Sequence, residues 1–154
     1  MTLSAQSPVL ARAPWEEVTV AEVMHPGIVA CSPGAPARIA ARLMAEHRIH
    51  AVVLMADDEE GCDWSVLTDA DLLEAAARGE LDRLTAADVA RARAGTISRR
   101  DSLERARELM RAHGVTHLLV TARGRPVGVV STLDLVQAVA AGVGATLRPQ
   151  SASV

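Results

Sequence analysis

The chain predicts a two-part α/β (α+β) fold, in which one β-α-β-β-α unit is written twice and the two pseudo-symmetric copies pack sheet to sheet. Three observations carry that prediction. An apolar run ends in a hydroxyl and opens a helix at two places, Gly128-Val129-Val130-Ser131-Thr132-Leu133-Asp134 and Ser65-Val66-Leu67-Thr68-Asp69-Ala70-Asp71. Laying Ala21 on Ala87 sets an offset of 66, which pairs Ser32 with Ser98, Ala40 with Ala106, Leu43-Met44 with Leu109-Met110 and His47 with His113, without a gap as far as Leu54 and Val120. The offset then becomes 63, pairing Thr68 with Ser131 and Asp71 with Asp134, and the change falls in a turn, where a duplication absorbs it most easily. A three-stranded sheet with helices on one side leaves its other face open, so two copies close it by packing together.

The elements follow in order. Met1 to Pro14 is rich in Ser, Ala and Pro without a sustained period, so residues 1–17 read as a flexible leader, with Trp15 to Val18 docking on the body. Val20 to Pro26 reads as a helical turn stopped by proline, with its counterpart at Ala86 to Ala90. The first copy, residues 18–79, has a strand at Ile28 to Cys31 and an amphipathic helix at Ala37 to Glu46 whose apolar face is Ile39, Leu43 and Met44. A strand at Ala51 to Met55, an acidic turn at Asp57 to Asp63, a strand at Trp64 to Leu67 and a helix at Ala70 to Ala77 complete it. Linker and second copy, residues 80–142, repeat the order with strands at Gly95 to Ile97, His117 to Thr121 and Val127 to Val130. Their helices run from Ser102 to Ala112, with Leu103, Ala106, Leu109 and Met110 inward, and from Leu133 to Ala141. In the closing helix Leu133, Val136, Val139 and Ala140 fall at helical spacing, and residues 143–154 read as a flexible tail.

Composition narrows the function. With 154 residues, 49% of them apolar, the chain has material for a core. A formal net charge of −3, with no basic face among its sixteen arginines, argues against a phosphate-backbone binder. Trp15 and Trp64 are the only aromatics, so base stacking on rings is excluded and any bound base must lie between aliphatic side chains. Cys31 and Cys62 lack CxxC spacing, which suggests neither a zinc knuckle nor a disulfide. No secretory h-region and no apolar run of roughly 18 residues is present, so the expectation is a soluble cytoplasmic protein with neither membrane nor nucleic acid as partner.

The strand-to-helix junctions carry the chemistry. Free backbone N–H groups and the positive end of the helix dipole point outward there, and Ser131 and Asp134 stand one turn apart at the mouth, a place to hold a phosphate and a diol. The same spacing is that of a capping box, in which the hydroxyl and the acid satisfy the helix's own N–H groups with no ligand; Thr68 and Asp71 have both readings too. His47 with His50 and His113 with His117 have spacings that suit two metal ligands, but no third ligand is evident and helix-end histidines suit the dipole equally. The acidic turn lacks EF-hand alternation, and neither a Ser-His-Asp order nor a P-loop occurs.

Three stretches resemble the cystathionine beta-synthase (CBS) domain, which occurs in tandem pairs called Bateman modules. They are Val23-Met24-His25-Pro26, His47-Arg48-Ile49-His50-Ala51-Val52-Val53 and Gly128 to Asp134, and the likeness covers about Val20 to Gly142. The second copy fits the family's Gly, two apolars, Ser or Thr, two free positions, Asp; the first has Ser65 in place of the glycine. The resemblance implies binding of an adenine nucleotide or S-adenosylmethionine between the copies, with the aspartate on the ribose hydroxyls and the Ser or Thr facing phosphate. Carried over by position, one cleft joins Ser131 and Asp134 to Met24, Gly27, Val29, Ile49, His50 and Ala51. The pseudo-symmetric cleft joins Thr68 and Asp71 to Ala90, Arg93, Gly95, Val115, Thr116 and His117. His50, Arg93 and His117 are the candidates for phosphate contact. No cofactor is required and no catalysis is expected: the implied protein is a regulatory homodimer that senses an adenosyl ligand and signals to an unidentified effector protein. The alternatives are a ligand-free interaction scaffold and a metal or redox sensor built on the histidines and Cys31.

Overall fold

The computed structural model describes residues 14–56, 64–90 and 95–144. The leader up to residue 13, the acidic turn at 57–63 with Cys62, Arg93 and the tail from 145 lie outside the described residues.

The first sheet is built from β2 (Ala30–Cys31), β3 (Ala51–Met55) and β4 (Trp64–Thr68), in the order β2-β3-β4, with β2 parallel to β3 and β4 antiparallel to it. Helices α1 (Ala37–His47) and α2 (Asp69–Ala77) cover it, and α3 (Ala86–Val89) follows. The second sheet has β5 (Thr96–Ser98), β6 (His117–Ala122) and β7 (Arg125–Ser131) in the same relation, with helices α4 (Leu103–His113) and α5 (Thr132–Ala140). It also gains a fourth strand, β1 (His25–Pro26), antiparallel to β7. Proline gives no N–H to a ladder, and an edge strand is where that loss is tolerated.

Two hydrophobic cores result, and each recruits a piece of the other half of the chain. Val20, in a one-turn 3-10 helix (Val20–Glu22), is fully buried among Ile97, Leu103, Leu118, Val120 and Val130. Ala86 and Val89 of α3 are buried with Ala40, Met44, Leu54 and Leu67. Matching backbone bonds fix the exchange: Leu103 donates to Val18 and Val20 to Asp101, while Ala37 donates to Leu84 and Ala86 to Ala35. The two short helices start alike, at Thr19 with Glu22 and Thr85 with Asp88, so the offset of 66 extends to their caps.

Three expectations change. Ile39 is 38% exposed, and Ala37, Ala40 and Met44 supply the inward face of α1, because a short alanine stripe lets the helix sit close to the sheet. Leu133, Val136 and Val139 are exposed; α5 buries Asp134, Leu135 and Ala138 instead. This helix is apolar nearly all round, so periodicity leaves its rotation open, and the inward cap of Asp134 sets it. Val143, read as the start of the tail, also packs on the second core, beside Trp15, which docks there as expected and donates its backbone N–H to the Gly144 carbonyl at 3.1 Å.

Candidate functional site

Ser131 ends β7 and caps α5. Its hydroxyl accepts from the Asp134 N–H at 3.3 Å, and Asp134 Oδ2 accepts from the Ser131 N–H at 2.7 Å and its hydroxyl at 3.1 Å. Asp134 is 2% exposed, the one charged side chain buried among the described residues. Its other oxygen, Oδ1, lies 2.9 Å from His25 Nε2, a ring that is itself 75% exposed. Backbone geometry brings His25 there. β1 runs along β7 with His25 opposite Val129 and Pro26 opposite Gly128, and a Cβ on Gly128 would fall on the His25 carbonyl. A residue larger than glycine at 128 would therefore push β1 away.

This carboxylate stands on the wall of a cavity of about 480 Å³ between the two halves. From the second half come Val129, Ser131, Leu133, Asp134 and His117; from the first come Ile28, Val29, Arg48, Ile49, His50 and Ala51, with His25, Pro26 and Gly27 across the opening. Of the residues expected here, Gly27, Val29, Ile49, His50, Ala51, Ser131 and Asp134 line this space. Met24 departs from that expectation: it packs against the second core, with its sulfur beside Gly128.

The cavity is mainly aliphatic, with Arg48 and the imidazoles of His25, His50 and His117 among its lining. His50 Nδ1 is held 2.7 Å from Asp69 Oδ2, at the first residue of α2, and Asp69 donates its N–H to the His50 carbonyl. Arg48, missed in the sequence, caps α1 with φ 52° and is exposed at the wall. The offset pairs it with Gly114, which takes the same left-handed conformation at φ 61°. A side chain costs about 1 kcal/mol there, so a non-glycine residue at that position is a signal the sequence offered. His117, expected for the opposite cleft, lines this one. Burial pushes its pKa below the ordinary imidazole value, an effect opposed by Asp69, Asp134 and Asp71 and reinforced by His50.

Among the described residues, the second set is spread over several places. Thr68 caps α2, with the Thr68 N–H reaching Asp71 Oδ2 at 3.1 Å and the Asp71 N–H reaching the hydroxyl at 3.3 Å. Ala90 packs on the first core, and Gly95 backs onto Leu118, accepting from the Leu119 N–H. Val115 and Thr116 line a separate, largely apolar cavity on the helix side, with Trp15, Met110 and Leu135. Arg93 lies outside the described residues.

No three His, Cys, Asp or Glu side chains converge as metal ligands among the described residues. Cys31 is half-buried, which raises its thiol pKa and lowers its reactivity. Among the described residues no helix is long and apolar enough to cross a membrane.

The sequence profile described as "CBS domain" matches residues 20–78 and 86–141. The chain belongs to the CBS-domain family. As a tandem pair it is a Bateman module, and the two sheets, two cores and five helices above are that module's two repeats. A search of curated proteins finds no match. Among solved structures, a CBS domain protein from Pyrobaculum aerophilum complexed with AMP is similar at 30% identity and a TM-score of 0.68, over 77% of this chain and 90% of that one. Hypoxic Response Protein I, with two coordinated zinc ions, is similar at 25% identity and a TM-score of 0.63, over 78% and 98%. The CBS domain of a bacterial CNNM/CorC-family Mg2+ transporter shares the fold at 21% identity and a TM-score of 0.69, over 84% and 92%.

Proposed function

We propose that this Bateman module is a regulatory protein that binds an adenine nucleotide or another adenosyl ligand, S-adenosylmethionine included, in the cavity beside Asp134. One observation carries the reading: a buried carboxylate at a helix N-terminus forms the wall of a roughly ligand-sized cavity to which both halves contribute. The Asp134 carboxylate accepts from the ribose hydroxyls, Ile28, Val29, Ile49 and Val129 enclose the adenine, and Arg48 with His50 faces the phosphate. The AMP bound by the Pyrobaculum aerophilum relative supports this choice of ligand class.

A ligand gripped by both halves favours the arrangement in which they fit it best, and shifts the equilibrium only by that difference in affinity. Output is regulation of an effector protein, not catalysis. The apolar side chains left exposed on the helices, Ile39, Leu73 at 70%, Leu133, Val136 and Val139, provide the surface for a homodimer.

A second reading has its own observation: Asp134 is already bonded on both oxygens within the chain, which suits a ligand-free interaction scaffold. Thermal unfolding with AMP, ADP, ATP, S-adenosylmethionine and divalent metals separates the two. A ligand at about 100 times its Kd adds roughly 2.7 kcal/mol to stability. A clear rise with an adenosyl ligand is the expected result; no response at millimolar concentration favours the scaffold, and a response to metal alone favours a metal sensor.

A further inference from the structure

The acid that the adenosyl reading needs is not open to solvent. Oδ2 of Asp134 is turned into the cap of α5, where it accepts from the Ser131 N–H and hydroxyl. Oδ1 faces the cavity, and what lies over it is the His25 ring, its Nε2 2.9 Å away. An isolated carboxylate oxygen has room for more than one donor, but with Asp134 2% exposed the approach to Oδ1 is filled. The ring that fills it is 75% exposed, so it can rotate outward into water without disturbing a packed neighbour.

We propose that His25 is the chain's own stand-in for the ligand: its imidazole covers the carboxylate oxygen that a ribose diol would use, and binding exchanges one donor for the other. The proposal rests on the adenosyl reading and adds a residue that sets the affinity of that site. Its placement is built into the backbone, not incidental to a loose side chain. β1 is held against β7 by its ladder, Gly27 donates to the Val127 carbonyl at 3.0 Å, and glycine at 128 permits the close approach. Each ligand molecule must therefore displace a preformed hydrogen bond to a charged group, and the apparent affinity falls by the fraction of molecules in which Oδ1 is uncovered.

Calorimetric titration of the full chain with AMP tests this, using wild type, His25→Ala and His25→Gln. His25→Ala removes the competitor and is expected to bind AMP about three- to tenfold more tightly. His25→Gln keeps an amide donor and is expected to stay nearer wild type. Wild type that binds AMP while His25→Ala binds equally or more weakly overturns the proposal and leaves the adenosyl reading standing. No binding by wild type or either variant sinks the adenosyl reading, and this proposal with it. Should His25→Ala fold poorly, NMR of wild type decides: the His25 ring signals are expected to move on adding AMP toward their positions in Asp134→Ala, and unmoved signals on saturation contradict the exchange.

Discussion

The N-termini of α2 and α5 are copies of one device set in different surroundings. Thr68 with Asp71 and Ser131 with Asp134 form the same reciprocal cap at the same spacing, the backbone N–H reaching the carboxylate at 3.1 Å in the first and 2.7 Å in the second. Around α5, however, the sheet has a fourth strand, the residue three before the cap is glycine, and the acid is almost fully buried beneath His25. Around α2 the sheet has three strands among the described residues; positions 91 and 92, which the offset matches to His25 and Pro26, lie outside them, and the position matching Gly128 is Ser65. Capping explains what the two sites share, at about 1 kcal/mol each. Among the described residues, what marks the second is the neighbour that β1 supplies, the glycine at 128 and the burial of its acid.

The difference can be broken most forcefully at Gly128. A methyl group there meets the His25 carbonyl, and because the obstacle is backbone the strand must shift. Gly128→Ala is expected to cost about 2–3 kcal/mol, read by urea unfolding, and to detach β1. Ser65→Ala, the matching change in the first copy, is expected to stay within about 0.5 kcal/mol. Equal costs at the two positions would mean that close approach of β1 is not what distinguishes them.

A smaller effect sharpens the comparison through pH. His117 lies where the charges of both caps meet, and burial lowers its folded pKa below the ordinary value of 6.5. As pH falls below about 6.5 the unfolded chain takes up this proton before the folded one does, so the folded state loses stability down to the lowered pKa. Above that window both states are uncharged at His117 and the contribution is level. The informative quantity is the difference between wild type and His117→Gln. The variant is expected to lose less stability than wild type between pH 7.5 and 5.5, and identical losses would contradict a half-buried imidazole whose pKa is lowered by desolvation.

Much of this molecule is legible in the sequence, for a physical reason. Capping hydroxyls, β-branched runs and the offsets of 66 and 63 are local signals, and Thr68, Ser102 and Ser131 cap the helices that follow them. What escapes is set by tertiary contact. His25-Pro26 carries no strand signal, since two residues with a proline become a strand only where β7 offers an edge. The exchange of Val20 and Ala86 between cores depends on how the halves meet, not on the apolar pattern of either segment. Leu133 and Leu135 are equally apolar, and only the direction of the Asp134 side chain decides which of them turns inward. Within the site, Ser131 and Asp134 are visible as a motif, whereas His25 and Arg48 lie in the other two family-like stretches without being marked there as site residues, Arg48 standing where the other copy has glycine.

The central proposal is that the adenosyl ligand binds at Asp134 in preference to the pseudo-symmetric position at Asp71. Titrating AMP into Asp134→Ala and Asp71→Ala, each shown to be folded by circular dichroism, tests it most directly. Removing either acid costs a helix cap of about 1 kcal/mol or somewhat more, so both chains should remain folded. Loss of AMP binding in Asp134→Ala alone, with Asp71→Ala close to wild type, is the expected result. Undiminished binding in Asp134→Ala, or loss in Asp71→Ala alone, would contradict the account.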